Sequence, residues 1–407
     1  MAGRVLEIEL TEPIQPIWGI EKYGWLWILL RHRSQPLCWI SINNPYHQVS
    51  LPESILQQAI VDQASWHLAL RLFDCQYGGE SSERTSPVAI SVVVCTRDRA
   101  DMLSDCLKAL TSMEYPEYEI IVVDNASANQ DTARLVRSYP VRYVRESRPG
   151  LDWARNCGIA AASHDVIAFT DDDARPDKKW LRAIASAFAD PEVAVVTGMV
   201  APAELETDSQ QLFEFGYGGM GKGFRRRRFT KLDTPLKDLL WAHVFGVGAN
   251  MAFRKKAFEE VGGFDEALDV GTPSGSGGDL EMLHRLLTSG KTLIYDPAAL
   301  VWHVHRRSPL ILRRQLFDNG RGFGAYLITC CRKRTVPTQS ILRFVIKEWI
   351  GKWLIRRLIR PHGFPRKLVW EELCGALRSP LAYLSAQRRA AGLRRVSAAE
   401  LHVQKDA

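Results

Sequence analysis

Three groups of carboxylates in the middle of the chain have the types and spacing for chemistry. Asp171, Asp172 and Asp173 follow the apolar run 166–170 directly. Three adjacent carboxylates repel one another unless a cation neutralises them. Along an extended segment alternate side chains point the same way, so Asp171 and Asp173 converge while Asp172 turns aside. Two hard oxygen ligands suit Mg2+ or Mn2+, with a phosphate completing the shell. The competing reading is a solvated acidic loop that caps the following helix. Asp124 ends a second apolar run. The third group, Asp279 and Glu281, follows the glycine-rich stretch 271–278 and opens a helix-like segment. There Asp279 reads either as an N-cap, with Glu281 and Arg285 an ordinary i,i+4 pair, or as a reactive carboxylate.

The elements that must position these groups form a regular series. From residue 88 onward, strand-like runs at 90–95, 119–124, 141–144, 166–170 and 193–197 alternate with helix-like stretches at 101–111, 130–138, 152–162 and 178–189. That alternation is the pattern of βαβ units around a mostly parallel sheet. Ligands of such sheets sit beyond the carboxyl ends of the strands, where Asp124 and Asp171 fall. Residues 292–302 read as strand, turn and strand.

The fold class expected is α/β, with three regions around a linker. Residues 1–80 read as a small accessory α+β domain, with strands near 5–10, 25–30 and 38–42 and a helix over 54–73. Residues 81–87 read as a linker, 88–330 as the catalytic unit and 331–407 as a basic helical extension. From Thr338 on the chain has 14 Lys/Arg against 5 Asp/Glu, a local excess larger than the net +7 of all 407 residues. These cations interleave with Ile341, Leu342, Phe344, Trp349, Trp353, Leu354, Leu358 and Ile359, giving an apolar stripe with cationic flanks.

Composition narrows the classes further. With 46% hydrophobic and 24% charged residues, Gly 29 and Pro 20, the chain is globular rather than collagen-like or of low complexity. The most apolar segment, 341–359, is broken by Arg343, Lys347, Glu348, Lys352, Arg356 and Arg357, so it falls short of the ~20 apolar residues of a membrane span. The N-terminus lacks a secretory pattern. Eight cysteines show no CxxC pair or zinc ladder, and a reducing, cytoplasmic compartment is expected. No nucleic-acid-binding motif is present.

Five motifs carry a resemblance: Cys95–Arg99, Val122–Ser127, Gly150–Asn156, Phe169–Asp173 and Gly278–Glu281. Together they resemble the inverting glycosyltransferases of family 2, which adopt the GT-A fold, a Rossmann-like and mostly parallel sheet. Gly248–Arg254 and Val301–Arg306 are similar to that family too, so the likeness runs from about residue 88 to 326. It implies that Thr96, Arg97 and Asp98 meet the nucleotide and that Asp124 accepts a hydrogen bond from its base, most often uracil. It implies that Arg155 and Asn156 orient the diphosphate, a structural Arg–Asp pair being the alternative. Asp171 and Asp173 match the family's DxD motif, with Asp172 between them on the donor side. One of His303 and His305, which share a face, would join the metal, His303 being favoured. Asp279 matches the catalytic base; Gly278 stands where many members have Glu and Glu281 where many have Asp, so the division of roles between Asp279 and Glu281 stays open. Arg285 is expected to hold one of those carboxylates.

The resemblance implies transfer of a sugar from a nucleoside diphosphate sugar, UDP-linked first of all, to a hydroxyl acceptor that is lipid-linked or a saccharide. A divalent cation would assist the leaving group, as in polysaccharide biosynthesis. Trp241, Asn250 and Arg285 are candidates for the acceptor side, with Trp241 read first as a core residue. Two alternatives stand beside this reading: a non-catalytic nucleotide- or polyanion-binding protein on the same fold, and a metal-dependent phosphoester hydrolase. The basic stripe fits either a seat on the anionic inner face of a membrane or packing on the catalytic unit.

Overall fold

The computed structural model describes residues 1–77, 88–360 and 363–403; the expected linker, 81–87, lies outside them. Its centre is a nine-stranded sheet in which Arg142–Glu146, Tyr118–Asn125, Ile90–Thr96 and Val166–Asp171 run side by side in parallel. Asn250–Arg254 follows in antiparallel, then Val193–Pro202 and Thr292–His303, parallel to each other. The inner strand Ile90–Thr96 is a continuous, largely β-branched run because both faces are covered, whereas Arg142–Glu146 at the edge is mostly polar and only partly buried. Val92 and Val94 face one core and Val93 the other. Helix Ala100–Thr111 turns Leu103, Cys106, Leu107 and Leu110 to the sheet, a spacing that keeps them on one helical face.

Two strands differ from the reading of the sequence. Val193–Pro202 is buried along its whole length, well past the 197 expected. Residues 292–302 do not turn back: Thr292–His303 is one strand with a bulge, in which Asp296 pairs with Gly198 and Leu300 with Met199. Pro297 has no N–H to give the ladder, and Asp296 Oδ1 accepts the Ala298 N–H at 2.9 Å. The chain therefore buckles outward and resumes its direction.

The N-terminal region forms a separate sheet of Gly3–Glu9, Trp25–His32 and Gln35–Asn43, covered by helix Glu53–Tyr77. It is seated on the central unit. Arg31 pairs with Asp177 at 2.7 Å and Glu7 at 2.9 Å, and Trp39 meets Trp302 edge-on at 6.3 Å.

The C-terminal region is seated even more deeply. Helix Pro309–Lys333, which runs across residue 330, lies along the long helix Arg366–Val403. The two backbones touch at Gly320 and Gly375. A Cβ on Gly320 would strike the Glu372 carbonyl, and one on Gly375 the Phe317 carbonyl. Between them residues 338–359 form a helix with a π-helical middle, Val345–Ile355. Ile341, Phe344, Trp349 and Leu354 of the apolar stripe are buried in the main core. Most of the stripe therefore faces the protein, while its Leu342 and Ile359 stay exposed. Gly320→Val should force the helices apart and destabilise the chain by at least the 1–3 kcal/mol typical of overpacking, read as a lower midpoint in denaturant unfolding with an unchanged slope.

Candidate active site

The carboxyl ends of Ile90–Thr96 and Val166–Asp171 lie side by side, with Cys95 opposite Asp171. The chain then pairs Ala174 with His303, which brings Asp173 beside the imidazole: His303 Nε2 is 3.1 Å from Asp173 Oδ1. Asp171, Asp173 and His303 each present one ligand atom, all within 4.8 Å of one another. Two carboxylate oxygens and an imidazole nitrogen suit a divalent cation. Burial and the neighbouring Asp173 push the Asp171 carboxyl up. Asp173, although buried, is held well below the usual carboxylate range by His303, Arg99 and Arg306; Arg99 lies at 2.5 Å and Arg306 at 3.0 Å. His305 sits behind, its Nδ1 3.1 Å from His303 Nδ1 and its Nε2 3.0 Å from Glu214. It orients His303 and lies outside the cluster.

The nucleotide-side candidates separate into two kinds. Asp124 is buried; its Oδ2 accepts from Tyr143 Oη at 2.7 Å and Arg145 at 3.3 Å. Its Oδ1 has no partner among the described residues. Arg97 is exposed beside Asp98. Asp98 ties two loops, accepting from the Ala128 N–H at 2.8 Å and donating its own N–H to Ser127 Oγ at 3.1 Å. Thr96 and Asp172 are occupied with each other: the Thr96 hydroxyl donates to Asp172 at 2.7 Å, and Arg99 takes the other oxygen at 2.6 Å. Asp172 turns aside as expected, but its buried carboxylate, pushed up to about 7, braces the loop and does not face a donor.

Asp279 stands in the first turn of helix Gly278–Thr288. Its Oδ2 accepts the Gly248 N–H at 2.7 Å and its Oδ1 the Leu280 N–H at 2.8 Å. A cavity of about 570 Å³ is lined by both Asp171 and Asp279, so one hollow joins the acidic cluster to the second carboxylate. Burial, and then Asp269, push the Asp279 carboxyl up.

Several expected roles are corrected by the contacts. Arg155 lines the cavity but its buried guanidinium is bonded to Asp152 at 2.9 Å and Asp269 at 2.5 Å. Both bonds are made by Nη1, so the structural Arg–Asp pair is present in a residue that also lines the cavity. Asn156 faces away, bonding the Phe264 backbone at 2.8 and 2.9 Å. Glu281 is paired with Arg285 and Lys333, both at 2.9 Å, and does not line the cavity. Arg285 reaches the Glu281 carboxylate and the backbone at Val261–Gly263, so it leaves the acceptor side. Asn250 is buried, bonding Trp180, Met199 and Ala299 at 2.7–2.9 Å; it pins strands together. Trp241 does line the cavity, stacked on Phe323 at 5.1 Å.

Residues 91–262 match the family described as Glycosyl transferase family 2. Residues 91–262 form a family 2 glycosyltransferase domain. Glycosyltransferase AglE of Haloferax volcanii is 28% identical over 242 residues, 57% of this chain and 72% of that protein. The Pre-mycofactocin glycosyltransferase of Mycobacterium tuberculosis is 29% identical over 221 residues, covering 53% of this chain and 43% of the relative. Among solved structures, a mannosyltransferase from Pyrobaculum calidifontis, described as a complex with GDP-Man and Mn2+, superposes with a TM-score of 0.50. It is 15% identical and covers 76% of this chain and 94% of its own. That likeness is one of fold, GT-A.

Beyond the matched residues, the missing side chain at Gly278 has a physical reason. A Cβ there would run into the Asp152 carboxylate, which fills the space beside Asp279. Asp152 is fully buried, its Oδ2 has no partner among the described residues, and burial pushes its carboxyl well up. Asp152 and Asp269 were not singled out in the sequence. The one signal was the i,i+3 spacing of Asp152 to Arg155 within the Gly150–Asn156 motif. Glu372 of the C-terminal region was not singled out either, and Trp353 was read there only as part of the apolar stripe; both line the same cavity, far along the chain from every motif.

Proposed function

We propose that the domain transfers a sugar from a nucleoside diphosphate sugar to a hydroxyl acceptor by a single inverting displacement. The observation that carries this is the joint presence of Asp279 and Asp171 on one cavity, with Asp171 in a cluster suited to a cation. Asp171, Asp173 and His303 would hold Mn2+ or Mg2+, which when bound supplies a Lewis acid for the negative charge of the departing diphosphate. Asp124, with its free Oδ1, accepts a hydrogen bond from the base, for which an N–H of uracil is apt. Asp279, fixed by two backbone N–H groups, accepts the proton of the attacking hydroxyl as general base. Attack from the face opposite the leaving group requires no protein nucleophile.

The test is release of nucleoside diphosphate from a panel of UDP- and GDP-sugars with Mn2+ and with EDTA. Metal-dependent release from a sugar nucleotide supports the reading. Turnover of simple phosphodiesters alone would replace it with a hydrolase, and tight nucleotide binding with no release would leave a binding protein.

A seat on an anionic membrane is favoured by the outer face of residues 338–360. No helix among the described residues is long and apolar enough to cross a membrane. With most of the apolar stripe turned inward, the outside of that segment exposes Leu342 and Ile359 of the stripe together with Ile346 and Ile355, interleaved with Arg343, Lys347, Lys352, Arg356 and Arg360. Aliphatic side chains at headgroup depth with cations beside them suit an anionic interface, each cation adding about 1 kcal/mol. Arg343→Glu with Lys347→Glu should lower co-sedimentation with phosphatidylglycerol vesicles at least tenfold at unchanged fold. Equal sedimentation of variant and parent would remove the membrane from the account. Deleting the segment is no test, because it also strips Phe344, Trp349 and Leu354 from the core.

A further inference from the structure

Beyond Asp279, the cavity continues into a chamber whose far wall is built by the C-terminal helices. Tyr217, Trp241 and Trp353 line it together with Gln315, Asn319 and Glu372. The rings meet edge to face, Tyr217–Trp353 at 5.6 Å and Trp241–Trp353 at 5.9 Å. Arg357 stacks over Trp353 at 4.3 Å and over Phe364 at 4.5 Å and donates to the Gly216 carbonyl at 2.7 Å, which fixes the wall from outside.

Glu372 is the informative residue. It is 3% exposed. Its Oε1 accepts from Trp353 Nε1 at 2.8 Å and from Tyr217 Oη at 3.1 Å. Its Oε2 is buried with no hydrogen-bond partner among the described residues, and so is Gln315 Oε1. Buried polar atoms are almost always paired, so two unpaired acceptors on one chamber call for donors, supplied by ordered water or by the hydroxyls of whatever enters. Burial pushes the Glu372 carboxyl up to about 7, and the pair of rings on its other oxygen keeps it in place.

We propose that this chamber is the acceptor subsite and that it takes a neutral saccharide unit, whose C–H face lies on the indole rings and whose hydroxyls donate to Glu372 and Gln315. The assignment rests on the transferase reading and names its acceptor class. Aromatic faces combined with hydroxyl-binding groups fit a sugar. An aliphatic chain would leave both acceptors buried without a donor, and an anionic group would oppose Glu372. About 570 Å³ for the whole cavity is within the roughly 300–1,000 Å³ of small-molecule sites.

Saturation-transfer NMR of the full chain with methyl glucoside, galactoside, mannoside and N-acetylglucosaminide tests the subsite without a donor. At least one glycoside should bind, and Glu372→Gln and Gln315→Leu should each weaken it fivefold or more. Gln315 is only half-buried on the surface of its helix, so its variant guards against a folding failure at Glu372. Mn2+-dependent binding of UDP and GDP is measured on the same samples. Glycoside binding without nucleotide binding keeps a saccharide site in the chamber and overturns the transferase reading, and with it the acceptor role. Nucleotide binding with no glycoside bound, with binding indifferent to both substitutions, or with geranyl phosphate bound in place of the glycosides, overturns the subsite.

Discussion

Asp279→Asn should bind the donor nucleotide as the parent does and lose transfer by about 10²–10⁴-fold, the usual contribution of a general base. The amide keeps the shape of the side chain and one acceptor for the Gly248 N–H or the Leu280 N–H, but it cannot take a proton from the acceptor hydroxyl. The same residue sets a pH limb. A base works only when ionised, and burial pushes the Asp279 carboxyl up. Activity should therefore rise with pH across a range above the ordinary Asp value of about 3.9, and that limb should vanish in the variant. A pH–rate profile for nucleoside diphosphate release reads both effects. Full transfer by Asp279→Asn would contradict the assignment, and Glu281 would not replace it, because its carboxylate is held by Arg285 and Lys333 away from the cavity.

The second large effect is expected at the acidic cluster. Asp171→Asn should weaken Mn2+-dependent binding of UDP or GDP by at least 100-fold and leave the metal-free background unchanged, as read by titration calorimetry with Mn2+ and with EDTA. Asp171 is the cleaner site. Asp173 also compensates Arg99, Arg306 and His303, and removing one member of a buried ion pair costs about 3–5 kcal/mol of stability. Asp173→Ala should thus lower the thermal midpoint as well as the affinity, whereas Asp171→Asn should lower the affinity alone. Equal nucleotide affinity in parent and Asp171→Asn would remove the cation from this site.

What could be read in the residues alone was governed by period and adjacency. Asp171, Asp173 and His303 were legible because a strand's alternation and its carboxyl end are local properties, and the sheet then brings those ends together. The α/β class followed from the same periodicity. The contacts of Arg155, Asn250 and Glu281 were not legible, for one reason. A polar side chain's type says what it can bond, but its partner is chosen by tertiary packing: Asp269 for Arg155, the Met199 and Ala299 carbonyls for Asn250, Lys333 for Glu281. Pro297 resembled a turn and proved to be a bulge, since a missing N–H interrupts a ladder without dictating which way the chain continues. The amphipathic stripe of the tail was visible, but its period is the same whether it faces lipid or protein. Only the fold shows Trp349 and Leu354 in the core.

The central claim is that a divalent cation and Asp279 act across one hollow. Anomalous diffraction from crystals soaked with Mn2+ and a nucleoside diphosphate tests it most directly. The account predicts a manganese peak within about 2–2.5 Å of ligand atoms of Asp171, Asp173 and His303, with Asp279 lining the same cavity on the acceptor side. A peak held by other residues, or nucleotide bound in the cleft with no metal at that cluster, would contradict it.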